Sequence, residues 1–120
     1  MRGLRSDPWV HAMENAKRGL KILLANLPWQ KEGRYGVRAG SRWPHMRDEH
    51  EGGYLPFPFF LAYATSLLEK HEIDATLIDA IAEGMSEDQF VEKMSGLHID
   101  YLVAETSVPS SSDDLQLLKK

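Results

Sequence analysis

The sequence predicts an α/β protein organised on a parallel sheet. Three observations carry that prediction. Short, almost wholly apolar runs recur at 22–27, 75–81 and 101–105, and segments of helical periodicity separate them. The first run empties into a loop with glycines at 33, 36 and 40 and arginines at 34, 38 and 42. Strands buried on both faces read as continuous apolar runs, and βαβ connections between them are right-handed. Three strands are few for a doubly wound sheet, and the final helix should feed a fourth, so the chain reads as an incomplete fold with strand order 2-1-3.

Taken in order, the chain begins with Asp7 and Pro8, an N-cap followed by proline at the first helical position. Trp9, Met13 and Ala16 share a helical face, Lys17 and Arg18 occupy the last turn, and Gly19 ends it. Residues 1–20 are therefore a helical extension, and 21–120 the α/β domain. The first strand covers 22–27. Residues 28–55 lack periodicity and read as one long loop, a length usually reserved for function.

Pro56 and Pro58 open the next helix, with Phe60, Ala64, Leu67 and Leu68 as its buried stripe. The second strand is 75–81. Ser86 and Gln89 form a capping-box signature before a helix that turns Phe90, Val91, Met94 and Leu97 to the core. The third strand is 101–105. A serine-rich loop follows, with Ser112 or Asp113 as N-cap of a last helix at 115–120.

Composition narrows the function. The chain has 120 residues, 42% hydrophobic and 27% charged, which suits one folded domain. Its net charge of −4 argues against a general nucleic-acid or membrane-surface binder. No apolar run approaches a membrane span and no signal-peptide core is present, so the expected location is cytoplasmic. The absence of cysteine removes disulfides, thiolate metal sites and a cysteine nucleophile.

Two loops hold the chemistry. The glycine/arginine loop fits neither a dinucleotide fingerprint nor a P-loop, but its Lys31, Arg34, Arg38, Arg42 and Arg47 suit an anion. The loop after the third strand offers Thr106, Ser107, Ser110, Ser111 and Ser112 as hydroxyl donors and acceptors. In a 2-1-3 sheet these two loops meet at the switch point where ligands sit. His45 and His50 with their neighbouring carboxylates read as a polar loop, and Asp79 as a turn or cap residue. No nucleophile–base–orienter set is present.

The segments ILLANLPW, GVRAGSRWPH, YLPFPFFLAYATSLLEKHEIDATLIDA and DYLVAETSVPS together resemble the N-terminal cobalamin-binding domain of radical S-adenosylmethionine proteins. Its most specific parts are R-x-G-S-R-W-P at 38–44, Y-L-P-F-P at 54–58 and E-T-S-x-P-S at 105–110. The resemblance implies a flavodoxin-like (Rossmann-like) domain that buries the nucleotide tail of cobalamin and presents the corrin to a radical S-adenosylmethionine catalytic domain, in cis or in trans. By position, Pro28, Trp29, Gly36, Arg38, Gly40, Arg42 and Trp43 would lie near the corrin or its amide arms. Glu105, Thr106, Ser107 and Ser110 would line the tail pocket.

Where other cobalamin domains place D-x-H-x-x-G, this chain reads P-W-Q-K-E-G, without the histidine that ligates cobalt, as is common in this branch. The cluster-binding C-x-x-x-C-x-x-C is absent, and a glycine-rich segment after a fourth strand would fall beyond Lys120. The expected function is thus corrinoid binding without catalysis, the iron–sulfur cluster and S-adenosylmethionine belonging to a parent protein. The competing reading is a module that docks an anion or a protein through its arginine loop. Homo-oligomerisation through the open sheet edge is a further expectation.

Overall fold

A computed structural model describes residues 19–38, 44–48 and 55–120. Its elements are β1 (Lys21–Asn26), β2 (Gln30–Lys31), β3 (Arg34–Val37), β4 (His45–Asp48), α1 (Phe59–Lys70), β5 (Asp74–Asp79), α2 (Glu87–Ser95), β6 (Tyr101–Ala104) and α3 (Ser111–Leu118), the last preceded by a 3-10 turn (Val108–Ser110). Of the helical extension expected over residues 1–20, residues 1–18 lie outside the described residues.

β1 lies between β5 and β6, parallel to both, with Leu24 in register with Leu77 on one side and Val103 on the other. Its apolar sequence follows from that central place, since helices cover both faces of the sheet. On one face Leu61 of α1 packs on Leu24 and Ala75, supported by Ile22, Ala64, Leu68 and Leu77. On the other, Phe90 of α2 and Leu117 of α3 pack with Ala25, Leu27 and Ala80. Among the described residues no helix is long and apolar enough to cross a membrane.

The segment read as one long loop contains a second sheet. β2, β3 and β4 form an antiparallel meander in which Gln30 faces Tyr35 and Gly36 faces Met46. Its first turn is Glu32-Gly33, both at positive φ (49° and 76°). That is a two-residue primed turn, the kind whose twist matches a hairpin. Glutamate is an uncommon first residue for such a turn, which is why the pattern reads as loop.

Helix registers also differ from expectation. Ala64 and Leu68 face the sheet as expected, but Phe60 and Leu67 are exposed and Leu61 turns inward in their place. The helix begins at Phe59, after Pro58, rather than at Pro56. Leu97 lies beyond the end of α2 and is exposed. The second parallel strand ends at Asp79, where residues 80–84 turn, rather than at residue 81. α3 starts at Ser111, four residues earlier than the apolar pattern suggests, and its N-cap is Ser110 rather than Ser112 or Asp113. The capping box of α2 is present with both bonds, Gln89 N to Ser86 Oγ at 3.2 Å and Ser86 N to Gln89 Oε1 at 2.9 Å.

Candidate functional site

The carboxyl ends of β1 and β6 are joined by one buried side chain. Arg38, just past β3, extends back beneath the loop after β1, with its side chain only 1% exposed. Its Nη1 donates to Asn26 Oδ1 at 3.0 Å and to the Leu27 carbonyl at 2.9 Å. Its Nε donates to Ser110 Oγ at 3.1 Å and its Nη2 to Asp114 Oδ1 at 2.7 Å. The guanidinium thus ties β1, the 3-10 turn and α3 together, using the planar fork that lysine lacks.

The partners are satisfied in turn. Asp114 Oδ2 accepts Thr106 Oγ1 at 2.6 Å and Ser110 Oγ at 2.7 Å. Ser107 Oγ lies 2.6 Å from Ser110 Oγ, and its backbone N–H donates to the same oxygen at 3.2 Å. Asn26 Nδ2 donates to Asp79 Oδ1 at 2.9 Å, and that oxygen also caps the turn by accepting Ala82 N–H at 3.1 Å. A buried ion pair survives desolvation only when its remaining polar atoms are bonded in this way.

Burial lowers the pKa of Arg38 from its ordinary value, while the charges of Asp114, Glu105, Asp113 and Asp79 oppose that shift. Four carboxylates therefore surround a single buried guanidinium. Lys31 is itself paired with Asp113 at 2.9 Å. Acidic groups outnumber basic ones at this edge among the described residues. Neither Arg38 nor Lys31 is held out as an anion contact.

The indole of Trp29 forms a wall of this arrangement. The residue is 4% exposed, and Arg38 lies over its ring at 5.2 Å from the ring centre. Gly36 makes room for the indole, since a Cβ there would fall on the six-membered ring. Gly36 N–H donates to the Trp29 carbonyl at 2.6 Å, extending the hairpin ladder to this pair. The glycine thus serves a ring and not an approaching anion.

The structure brings Trp29, Gly36, Arg38, Thr106, Ser107 and Ser110 into or against one network, and Pro28 is buried in the same β1 loop. Glu105 lies near enough to act on Arg38 electrostatically. Gly40, Arg42 and Trp43 lie outside the described residues. Asn26 and Asp114 were not among the expected site residues. The signal for Asn26 was a lone amide closing an apolar strand; Asp114 carried none, being one of two adjacent aspartates.

Two buried polar atoms have no partner among the described residues: Trp29 Nε1 and Glu105 Oε2. One is a donor and one an acceptor, and each sits on one of the two loops. A hollow of about 10 Å³, room for about one water molecule, opens at the same edge, lined by Asn26, Gly36, Arg38, Pro56 and Asp79. It lies on the β5 side of β1, and is smaller than the roughly 300–1,000 Å³ usual for a small-molecule pocket. Among the described residues no group of three or more histidines and carboxylates is placed to hold a metal ion.

Fold and site together define a mixed α/β protein with a parallel three-stranded sheet and a polar network at its strand ends. The chain matches no family model, no curated protein and no solved structure.

Proposed function

We propose that this chain is the N-terminal part of a flavodoxin-like corrinoid-binding module, which holds the cofactor without performing catalysis alone. The observation that carries the reading is the pair of buried polar atoms without a partner among the described residues, Trp29 Nε1 and Glu105 Oε2, on the loops after β1 and β6. An unpartnered buried donor or acceptor costs about 1–3 kcal/mol, so each calls for a polar complement. The amide arms of a corrinoid both accept and donate, and so can complement an atom of either kind. The acidic surplus around Arg38 favours such an amide-rich ligand over a free anion.

Roles then divide. Trp29, Glu105, Thr106 and Ser107 hold amide arms or tail, and Gly40, Arg42 and Trp43 are assigned to the corrin by resemblance alone. Pro28, Gly36, Arg38 and Ser110, with Asn26 and Asp114, are a frame that fixes the distance between the two loops. When bound, a corrinoid supplies a cobalt centre able to carry a one-carbon group. A parent protein would add the cluster, the S-adenosylmethionine and the substrate.

A visible-absorbance titration with hydroxocobalamin, followed by desalting, tests the proposal. Retention of the corrinoid spectrum with the protein, and its loss in Glu105→Leu, is the expected result. Complete separation of the corrinoid from a folded chain at every concentration would overturn it.

A further inference from the structure

α1 carries an exposed surface whose side chains take no part in the strand-end network. On its solvent side Phe60, Tyr63 and Leu67 are 75%, 69% and 58% exposed. Spacings of three and four residues place these side chains in one row. Phe57 and Phe59 are about half exposed. Phe57 meets Phe59 edge-on at 5.2 Å between ring centres, and Phe59 stacks on Tyr63 at 6.4 Å. The result is a continuous aromatic strip.

The helix is apolar on both sides. Leu61, Ala64 and Leu68 face the sheet, and no charged residue occurs from Leu55 to Leu68. A helix with solvent on its outer side ordinarily places charge there, whereas one apolar all round is covered all round. The neighbouring sheet surface repeats the feature. Tyr101 and Val103 are in register with Ile22 and Leu24, so they point to the α1 side of the sheet. α1 packs on β1 and β5, and Tyr101 and Val103 remain 61% and 42% exposed.

We propose that two copies of this chain associate through α1, packing their aromatic strips against each other about a two-fold axis. Area, charge and symmetry favour a second copy as the occupant. Aromatic side chains of this kind bury about 150–250 Å² each, so the exposed part of the strip offers roughly 600 Å² per copy. Two such faces bury roughly 1,200 Å², the lower end of a specific interface. A chain of net charge −4 repels its own copies except where a contact is uncharged, as this strip is. A lipid surface, by contrast, is met by helices flanked with basic residues, and α1 ends in Glu69 beside Lys70. A strip on one helix can also be its own complement across a two-fold axis. The inference is independent of corrinoid binding.

Sedimentation velocity of the full chain, from low to high micromolar concentration, tests it. The expected result is a species of twice the 13.6 kDa chain mass. Phe60→Asp and Tyr63→Lys, both at exposed positions, should each weaken the dimer at least about tenfold while leaving the circular dichroism unchanged. A dimer indifferent to both substitutions overturns the proposal. So does a chain monomeric at every concentration, whether the strip proves to be covered by residues 1–18 or to bind phosphatidylcholine–phosphatidylglycerol vesicles.

Discussion

Arg38 and Asp114 lie 76 positions apart and meet at 2.7 Å, with side chains 1% and 2% exposed. This contact closes the end of β3 onto the first turn of α3. Removing either partner alone leaves a buried charge without its counter-charge, at a cost of about 3–5 kcal/mol. Arg38→Leu and Asp114→Leu should each lower stability by that amount in urea unfolding. The double variant should lose less than the sum of the two, by about 1–3 kcal/mol. Strict additivity would show that the two charges do not act as a pair.

The exposed pair Lys31–Asp113 makes the contrast. Its lysine side chain is 60% exposed, and pairs of this sort contribute about 0–1 kcal/mol. Lys31→Ala is expected to shift the urea midpoint little, and less still at high salt. A loss comparable to that of Arg38→Leu would place Lys31 inside the network rather than beside it.

Gly36 is required by the indole beneath it. A methyl group there overlaps the Trp29 ring and must displace it, with a cost of about 1–3 kcal/mol for overpacking. Gly36→Ala should therefore alter the near-ultraviolet circular dichroism as well as the midpoint. The same stability and an unchanged aromatic spectrum would mean the ring does not lie against Gly36.

The α2 capping box offers a local test. Ser86→Ala removes the acceptor for Gln89 N–H and should cost about 1 kcal/mol, seen as a lower thermal midpoint. It should leave hydroxocobalamin retention unchanged, since α2 contributes nothing to the strand-end network. Loss of retention in a folded Ser86→Ala protein would tie α2 to the ligand.

Local patterns in the chain were enough for the parallel core. The apolar runs of β1, β5 and β6 and the Ser86–Gln89 box depend on neighbours a few residues away, so period and capping chemistry reveal them. The β2–β3–β4 meander escaped the same reading. Its strands are only two to four residues long, and its turn uses Glu32 where asparagine or aspartate would have been the cue. The stripe of α1 was legible only at Ala64 and Leu68, and not at Phe60 and Leu67, for another reason. A helix apolar on both sides has no polar face from which its core side can be read, so Phe60 and Leu61 are equivalent candidates until the sheet selects one.

The sequence by itself determined the alternation of strand and helix, the central place of an apolar first strand, and the two loops that carry polar chemistry. Only the tertiary structure decided what those polar residues do. In the chain Arg38 belongs to a basic loop that suits an anion; in the fold it is enclosed and donates to Asn26, the Leu27 carbonyl, Ser110 and Asp114. The reason is physical. Periodicity and capping are local, whereas the desolvation of a charge depends on side chains brought together from distant positions, and no local pattern encodes that meeting.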